Sequence, residues 1–582
     1  MENEGGTQLE VGVVKKGGNT QRILIMNLTR MGDLLQMTPF LNGFRQENPD
    51  MHITLMVLKE FGDVCKGFPF VDEIEVFDAI DFMMGLDTDR SMVESFRILE
   101  GIANRLKQKH FDRVVNLSFS NVSALLTHLL GVGDVRGITI DDQGNRLLKH
   151  PWIIHFYNIV SHREVNLFNF VDFIRKIGGC NRKASMAFAV SESGRRFAET
   201  FCTDHGVIET DFVVGFQLGA SRKNRWWPTE SFARLSEQLI REGGKIILFG
   251  SAGEVELGEK VRESVSLPSE RIASHLFDMT GKTSVDQLAA LVEKCDLLVT
   301  CDTGTMHVAT AVGTQVVALF FGPAYFPETG PYGEDHLVIQ ADVPCAPCGH
   351  ETDCKNPLCR ESISVSHVHR VIHMLKAGMP ESGRQLKDRS EWKGVQLYRG
   401  GFDEDGMLEF LPLIRRPLKR MDFLRQIYRE MWKIVLNEQE GEIDPARVNE
   451  KMHRFFSVEE SPQFLSEDRR AFEALISVAQ QGIDASSRLI RWSEKIENNI
   501  SAIRAEARVI HDIDGQIELH GLTHPACSTL AFMFRQGKEN LEEGNVRFLS
   551  QRTLDLYKTL HREATLMTGA LERIASSMKA AA

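Results

Sequence analysis

No apolar run in the 582-residue chain is long enough to cross a bilayer, which excludes a membrane-spanning helix on sequence grounds. There is no basic excess either. The net charge is −12, and a nucleic-acid binder carries the opposite footprint, so no nucleic-acid partner is expected. The opening segment, MENEGGTQLEVGVVKKGGNTQR, has no apolar h-region and does not read as a signal peptide; residues 1–20 read as a flexible N-terminal segment. Without a secretory signal, the ten cysteines are expected to be reduced thiols in the cytoplasm. The triplet Asp302-Thr303-Gly304, which aspartic proteases also carry, occurs once. That chemistry needs two carboxylates sharing a proton, so a protease is excluded.

What is present is ordinary for a globular chain, with 42% apolar and 25% charged residues. Its length calls for three or more structural units. From Arg22 onward short β-rich runs alternate with helix-like stretches: RILIMNLT (22–29), HITLMVL (52–58), IEVF (74–77) and RVVNLS (113–118). The pattern fades near Gly178–Cys180 and restarts with FVVGFQLG (212–219), KIILFGS (245–251), DLLVTCD (296–302) and QVVALFFG (315–322). Near-continuous apolar strands separated by helices predict parallel sheets covered on both faces. The fold class is therefore α/β, with two doubly wound domains facing a cleft. Ligands of such sheets sit outside the carboxyl ends of the strands. The expected units are 21–180, a linker over 181–210, and 211–380.

After residue 380 the apolar residues recur at helical spacing, which predicts an all-α extension over 381–582. One 3/4-spaced stripe runs Leu489, Trp492, Ile496, Ile500, Ile503, Ala507, Ile510; another runs Tyr557, Leu560, Ala564, Met567, Leu571, Ile574, Met578. Charge is nearly balanced in this segment, so packing on protein is expected, either within the chain or between subunits, with oligomerisation as one role of the tail.

Four elements carry chemistry. In CDTGTMHVATAVG the strand ends, a Gly-containing turn follows, and a helix begins near Thr305; its free N–H groups favour a phosphate. Thr303, Thr305 and His307 add donors; the alternative is that Asp302 caps the helix and His307 packs. In LTRMGDLLQMTPF (28–40), Gly32 allows a tight turn and Asp33 opens a helix. Asp33 is either an N-cap or a carboxylate facing an anion across the cleft, where it can take a proton from an attacking hydroxyl. One carboxylate suffices for that task, because a nucleoside diphosphate leaves without an acid, whereas a glycosidase needs a pair. In QLGASRKNRWWP, Arg222, Lys223 and Arg225 can neutralise a diphosphate. In LFGSAGEVE, Glu254 or Glu256 can accept from ribose hydroxyls or stand as a solvated helix-start residue.

Together MGDLLQMTP, GASRKNRWWP, DMTGKTSVDQLAALVEKCDLLVTCDTGTMHVATAVGT and FFGPAYFPETGPYG closely resemble glycosyltransferase family 9, the ADP-heptose:lipopolysaccharide heptosyltransferases, over residues 21–377. The resemblance implies a GT-B fold and metal-independent, inverting transfer of heptose from ADP-L-glycero-D-manno-heptose. The implied acceptor is a lipopolysaccharide inner-core sugar at the cytoplasmic face of the inner membrane, with peripheral membrane contact. Matched by motif, Asp33 takes the place of the general base. Asp302, Thr303, Gly304 and His307 match the donor-phosphate loop, Glu254 the ribose-binding acid, and Ser221 a phosphate-contacting position. Where the family usually has Lys two residues before the Trp of Lys-x-Trp-Pro, this chain has Arg225, a planar fork in place of a point charge, with Lys223 nearby. Arg30, Arg136 and Arg146 are candidates for an anionic acceptor, or ordinary surface arginines. No cofactor is required by this chemistry. CAPCGHETDCKNPLC places Cys345, Cys348, Cys354 and Cys359 at a spacing that suits structural zinc or iron, or four free thiols. Two other readings stay open: a same-fold transferase with another nucleotide-sugar or a protein or other glycan acceptor, and a non-catalytic nucleotide-sugar-binding scaffold.

Overall fold

The computed structural model describes residues 21–79, 92–349, 352, 354–378, 386, 390–457 and 464–581. The N-terminal segment 1–20 lies outside the described residues. The first sheet holds β1 (Arg22–Asn27), β2 (His52–Leu58), β3 (Glu73–Phe77), β4 (Arg113–Asn116), β5 (Asp134–Ile140) and β6 (Arg146–Lys149). Its order is β3-β2-β1-β4-β5-β6, parallel except for β6. The second holds β7 (Val213–Gln217), β8 (Lys245–Phe249), β9 (Leu276–Asp278), β10 (Leu297–Cys301), β11 (Gln315–Phe320), β12 (Leu337–Ala341), β13 (Val395–Phe402) and β14 (Leu408–Pro412). Its order is β14-β13-β12-β11-β10-β7-β8-β9. Counted from its own first strand, the parallel part of the second sheet repeats the order of the first. In both, the order reverses beside the first strand, and the loops leaving the neighbouring strands splay apart there to make a crevice. The apolar runs explain the strands: β7, β8 and β10 are buried along their whole length, as strands covered on both faces must be.

The helices that matter for the site and its support are α1 (Met31–Gln36), α2 (Pro151–Ser161), α3 (Phe170–Gly178), α4 (Glu192–Asp204), α5 (Thr229–Arg241), α6 (Val285–Glu293), α7 (Gly304–Val312) and α8 (Val365–Lys376). Beyond them come α9 (Arg420–Leu436), α10 (Phe464–Ser493), α11 (Ile496–Thr523), α12 (Ser528–Glu539) and α13 (Val546–Ala581). No described helix is long and apolar enough to cross a membrane.

Three expectations need correction. The extension is not all helical: Val395–Pro412 forms the β13–β14 hairpin, which pairs antiparallel with β12 and makes the second sheet run past residue 380. Its glycines and charged residues hid the strand alternation, although Val395 and Leu397 are buried on the sheet's core side. The segment 181–210 is more than a linker, since it contains α4, which packs on α6, with Asp286 accepting from the Ser191 N–H at 2.9 Å. The stripe from Leu489 to Ile510 is not one seam. The helix breaks between Ser493 and Ile496, the break shifts the phase, and Ile496 and Ile500 end up exposed. The buried face of α11 runs instead through Ile510, Ile513 and Ile517. The second stripe behaves as expected from Tyr557 to Ile574, buried against α10.

The extension docks on the first domain. Asn540 accepts from the Leu148 N–H at 2.6 Å and donates to the Leu148 carbonyl at 2.9 Å, closing the free edge of β6. Asn158 donates to Thr529 at 2.7 Å and Trp152 Nε1 to Asn437 at 3.2 Å. Buried Arg429 on α9 reaches both domains, donating to the Leu167 carbonyl at 2.6 Å and to Asp403 at 2.8 Å. The two domains also meet directly through buried groups. Arg163 grips Glu328 with contacts of 2.6–3.2 Å, and the Tyr332 hydroxyl donates to Asp172 at 3.0 Å.

Candidate active site

On the other side of this contact the carboxyl ends of both sheets face a cleft of about 820 Å³. It is lined by the loops after β1, β7, β8 and β10. Arg30, Asp33, Ser221, Arg225, Glu254, Asp302, Thr303, Gly304, Thr305 and His307, all singled out from the sequence, meet here. Lys223 does not. It is exposed and lines a separate hollow with Thr352, Cys354 and Arg360.

Two caps differ from the expected ones. The N-cap of α1 is Arg30, and Asp33 is the third helical residue, its carboxylate returning to the Arg30 N–H at 3.4 Å. That bond is long, and burial outweighs it together with the Arg30 charge, so the Asp33 carboxyl sits above the usual carboxylate range. The N-cap of α7 is Thr303, and the helix begins at Gly304, one residue before Thr305. Asp302 is no cap. It forms an ion pair with Arg225 at 2.9 Å, while burial and the Asp33 carboxylate across the cleft push its affinity for a proton up.

The donor-side loop is a connected network. Thr305 donates to Gln217 at 2.8 Å, and Gln217 Nε2 lies 3.4 Å from both the Gly219 carbonyl and Glu254. Glu254 accepts from the Ser251 N–H at 2.7 Å. Glycine at position 219 leaves room for the Glu254 carboxylate, since a Cβ there would lie 1.9 Å from Glu254 Oε1 and push that side chain aside. His307 is buried, its Nε2 lies 2.9 Å from Gln36 Nε2, and burial lowers its imidazole to about 4, so it is neutral at ordinary pH. It thus links the two domains, with its Nδ1 lacking a hydrogen-bond partner among the described residues. Beside it Gly32 and Gly304 let α1 and α7 touch: a Cβ on Gly304 would meet Met31 Cε at 2.6 Å.

A second cavity, about 440 Å³, opens from Asp33 and Gln36 into the first domain. Phe119, Ile153, Phe156, Tyr157, Phe170 and Phe173 line it, and Phe119 stacks on Phe156 with centroids 5.0 Å apart. Arg146 stands on its wall, donating to Asn121 at 2.7 Å and to the Tyr157 hydroxyl at 3.3 Å. Arg136 lines neither cavity. It lies against Gly179 and pairs loosely with Asp134 at 3.8 Å. Sequence reasoning missed Gln36, Gln217 and the aromatic wall. The two glutamines stand inside motifs already singled out, at a strand end and in MGDLLQ, whereas the wall is assembled from segments too far apart to carry a linear signal.

The four-cysteine loop runs from exposed Cys345 to buried Cys359. The Cys348 thiol is raised by burial and then by Cys345, Cys359 and Cys354; four thiols are a donor type that suits a thiophilic ion. Among the described residues, sets of three ligand atoms within 4.8 Å of one another occur at Glu242–His369–His373 and Glu404–Asp405–Glu430, and not in this loop.

The family model described as glycosyltransferase family 9 (heptosyltransferase) matches residues 100–358. Over 250 residues, 41% of this chain and 68% of the relative, the sequence is 34% identical to lipopolysaccharide heptosyltransferase 2 of Escherichia coli (strain K12). It is 33% identical over 129 residues to lipooligosaccharide heptosyltransferase 2 of Haemophilus influenzae, covering 22% of this chain and 35% of that one. The chain thus spans about a third of the length of some curated relatives it matches. A solved structure of a family 9 glycosyl transferase from Veillonella parvula DSM 2008 is 25% identical, with 54% of this chain and 83% of that chain covered and a TM-score of 0.44.

Proposed function

The chain belongs to glycosyltransferase family 9, and from that premise we propose that it is a GT-B enzyme transferring heptose, with inversion, from ADP-L-glycero-D-manno-heptose to a lipopolysaccharide inner-core sugar. The observation that carries this reading is Asp33. It is a carboxylate of raised proton affinity at the mouth of the first domain, facing the α7 start across the cleft. An acceptor hydroxyl held between Asp33 and the aromatic wall gives its proton to Asp33 while its oxygen attacks the anomeric carbon. The bond to the β-phosphate oxygen breaks, and ADP leaves with the electron pair. A single displacement inverts the configuration. The leaving diphosphate meets the first turn of α7, with Thr303 and the Thr305 N–H, and the Ser221 and Arg225 loop, groups already in place to hold developing charge. Arg225 is shared with Asp302, so its field is partly spent within the protein. Glu254 lies where ribose hydroxyls would reach it.

Cys345, Cys348, Cys354 and Cys359 would hold zinc or iron by gathering their sulfurs; four thiolates leave no open position, so such an ion would brace the loop and take no part in transfer. The acceptor class places the reaction at the cytoplasmic face of the inner membrane. The largely apolar wall beside Asp33 also favours a second reading, in which the acceptor is a protein or a different glycan that offers an apolar face. The test is Asp33→Asn assayed with ADP-heptose and a panel of acceptors. Transfer should fall by roughly 10²–10⁴-fold with ADP binding kept. Near-normal turnover in a folded variant would refute the role of Asp33, and the acceptor panel separates the two readings.

A further inference from the structure

On the second domain, away from the cleft, α5 and α8 pack side by side. His369 and His373 stand one turn apart on α8, a spacing that puts both imidazoles on one face. Glu242, the C-cap of α5, reaches between them. His369 Nε2 lies 2.8 Å from Glu242 Oε1, His373 Nε2 lies 3.0 Å from Oε2, and the two Nε2 atoms are 3.2 Å apart. We propose that Glu242, His369 and His373 form a binding site for one divalent transition-metal ion, zinc in the first place, that staples the end of α5 to the end of α8.

The geometry suits an ion of that size. Zinc bonds to nitrogen at about 2.0–2.1 Å and to carboxylate oxygen at about 2.0–2.2 Å, which sets tetrahedral ligand atoms roughly 3.3 Å apart. The two imidazole nitrogens already have that separation, and the carboxylate oxygens need only a small outward shift. In hydrogen bonding alone, two Nε2 atoms converge on one carboxylate while crowding each other. A cation accepts both lone pairs and the carboxylate charge at once. The surroundings favour positive charge too, because the site lies at the C-terminal turns of two helices, where the unpaired carbonyls carry partial negative charge. Nearby cations are otherwise engaged: Arg241 with Glu237, and Lys376 over the Phe212 ring. Two imidazoles and a carboxylate select zinc, nickel or copper over magnesium or calcium, and leave a coordination position for water.

The position gives the ion a structural role. The segment leading into α5 carries the basic loop of the cleft, and the segment leading into α8 follows the four-cysteine loop. Those two segments are already bound together, Trp227 Nε1 donating to the Ile363 carbonyl at 2.9 Å and Arg360 Nε to the Trp226 carbonyl at 2.7 Å. An ion at Glu242 would fasten the same pair of helices at their other ends, and so stiffen the support of the donor loop.

The experiment uses the full chain, stripped with a chelator, dialysed, and titrated with zinc alone by calorimetry and with cobalt by absorption. The wild type should take up one more equivalent of zinc than the His369→Ala/His373→Ala variant, and zinc should raise Tm more in the wild type. Cobalt in the extra equivalent should show no thiolate charge-transfer band, which separates it from any ion on the four cysteines. Should the double variant fold poorly, His373→Gln, a hydrogen-bonding side chain on a half-exposed position, supplies the same comparison. Equal zinc uptake and equal zinc-dependent melting in wild type and variant would overturn the proposal, as would a thiolate band on every equivalent bound.

Discussion

Replacing Glu563 by glutamine should stabilise the protein, and more so as the pH rises. Glu563 lies on α13 and is only 4% exposed. It faces a cavity of about 510 Å³ between the extension and the first domain, among Leu147, Leu148, Ile154, Leu436, Met533 and Phe534. Burial pushes its carboxyl from an ordinary 4.5 up to about 8, with the Arg562 charge offsetting only part. The folded state therefore keeps a proton that the unfolded chain releases above about pH 4.5. The associated stability is complete below that pH, falls as pH rises toward 8, and is flat beyond. At about 1.4 kcal/mol for each tenfold change in proton affinity, the loss between pH 5 and pH 8 is roughly 3–4 kcal/mol, an upper bound because water entering the cavity would soften it. Glu563→Gln keeps the shape and cannot ionise. Scanning calorimetry of both proteins at pH 5 and pH 8 should show the melting gap widening in favour of the variant, by about 3 °C for a chain of this length. A gap that does not change with pH would refute the reasoning, and so would a variant less stable than wild type at pH 8.

The raised carboxyl of Asp33 should place the acid limb of the rate–pH profile above the range of an ordinary carboxylate; a limb at the ordinary position would mean another group is the base. Gly219→Ala should displace Glu254, whose Oε1 would lie 1.9 Å from the new Cβ, and weaken ADP binding while leaving Tm nearly unchanged; calorimetric titration with ADP checks it. A chain ending after residue 378 should aggregate and fail to bind ADP, because it strips β13 from β12 and removes the Leu408 N–H that donates to buried Asp172 at 2.9 Å. Light scattering with ADP titration tests that, and a monodisperse truncation with normal ADP affinity would contradict it.

The strands that build the cleft were legible because each is an apolar run bounded by glycine or charge. Those eight runs coincide with β1–β4, β7, β8, β10 and β11 to within two residues at each end. Of the missed strands, β12 carries that signature in LVIQA, whereas others lack it. In β5, Asp134, Arg136 and Gly137 dilute the apolar residues; β9 is three residues long; β13 contains a Gly-Gly pair. Candidate residues near a strand's carboxyl end came together because topology alone brings those loops to one place. Pairings could not be read this way. Nothing in the order of residues says that Arg225 pairs with Asp302, or that His307 Nε2 lies against a glutamine of the opposite domain. Both outcomes depend on how two separately folded sheets are set against each other. The tail's stripes failed or held for a local reason: helical periodicity assumes an unbroken helix, and a two-residue turn after Ser493 is enough to rotate the next segment's buried face.

The way the two domains are joined bears on how the cleft works. Arg163 with Glu328 and Asp172 with Arg175 and Tyr332 are buried across the interface. Charges taken this far from water lean on their partners, and pulling them apart would expose or orphan each group at a cost on the order of several kcal/mol. The extension adds a second tie, since α9 sends Arg429 to a carbonyl of the first domain and to Asp403 beside the second sheet. Large opening of the cleft would have to break both. The contact at the floor of the cleft is different in kind: two glycines, a methionine methyl and a neutral imidazole against an amide, groups that can slide or separate without uncovering charge. The buried ties thus lie on the far side of the cleft, while Gly32, Gly304 and His307 make an uncharged contact at its floor. A site of that kind keeps Asp33 and the α7 start in register before any substrate arrives, so binding need not supply the energy to assemble them. The extension, on this argument, contributes to transfer through the cleft it holds in shape, without touching the reacting atoms.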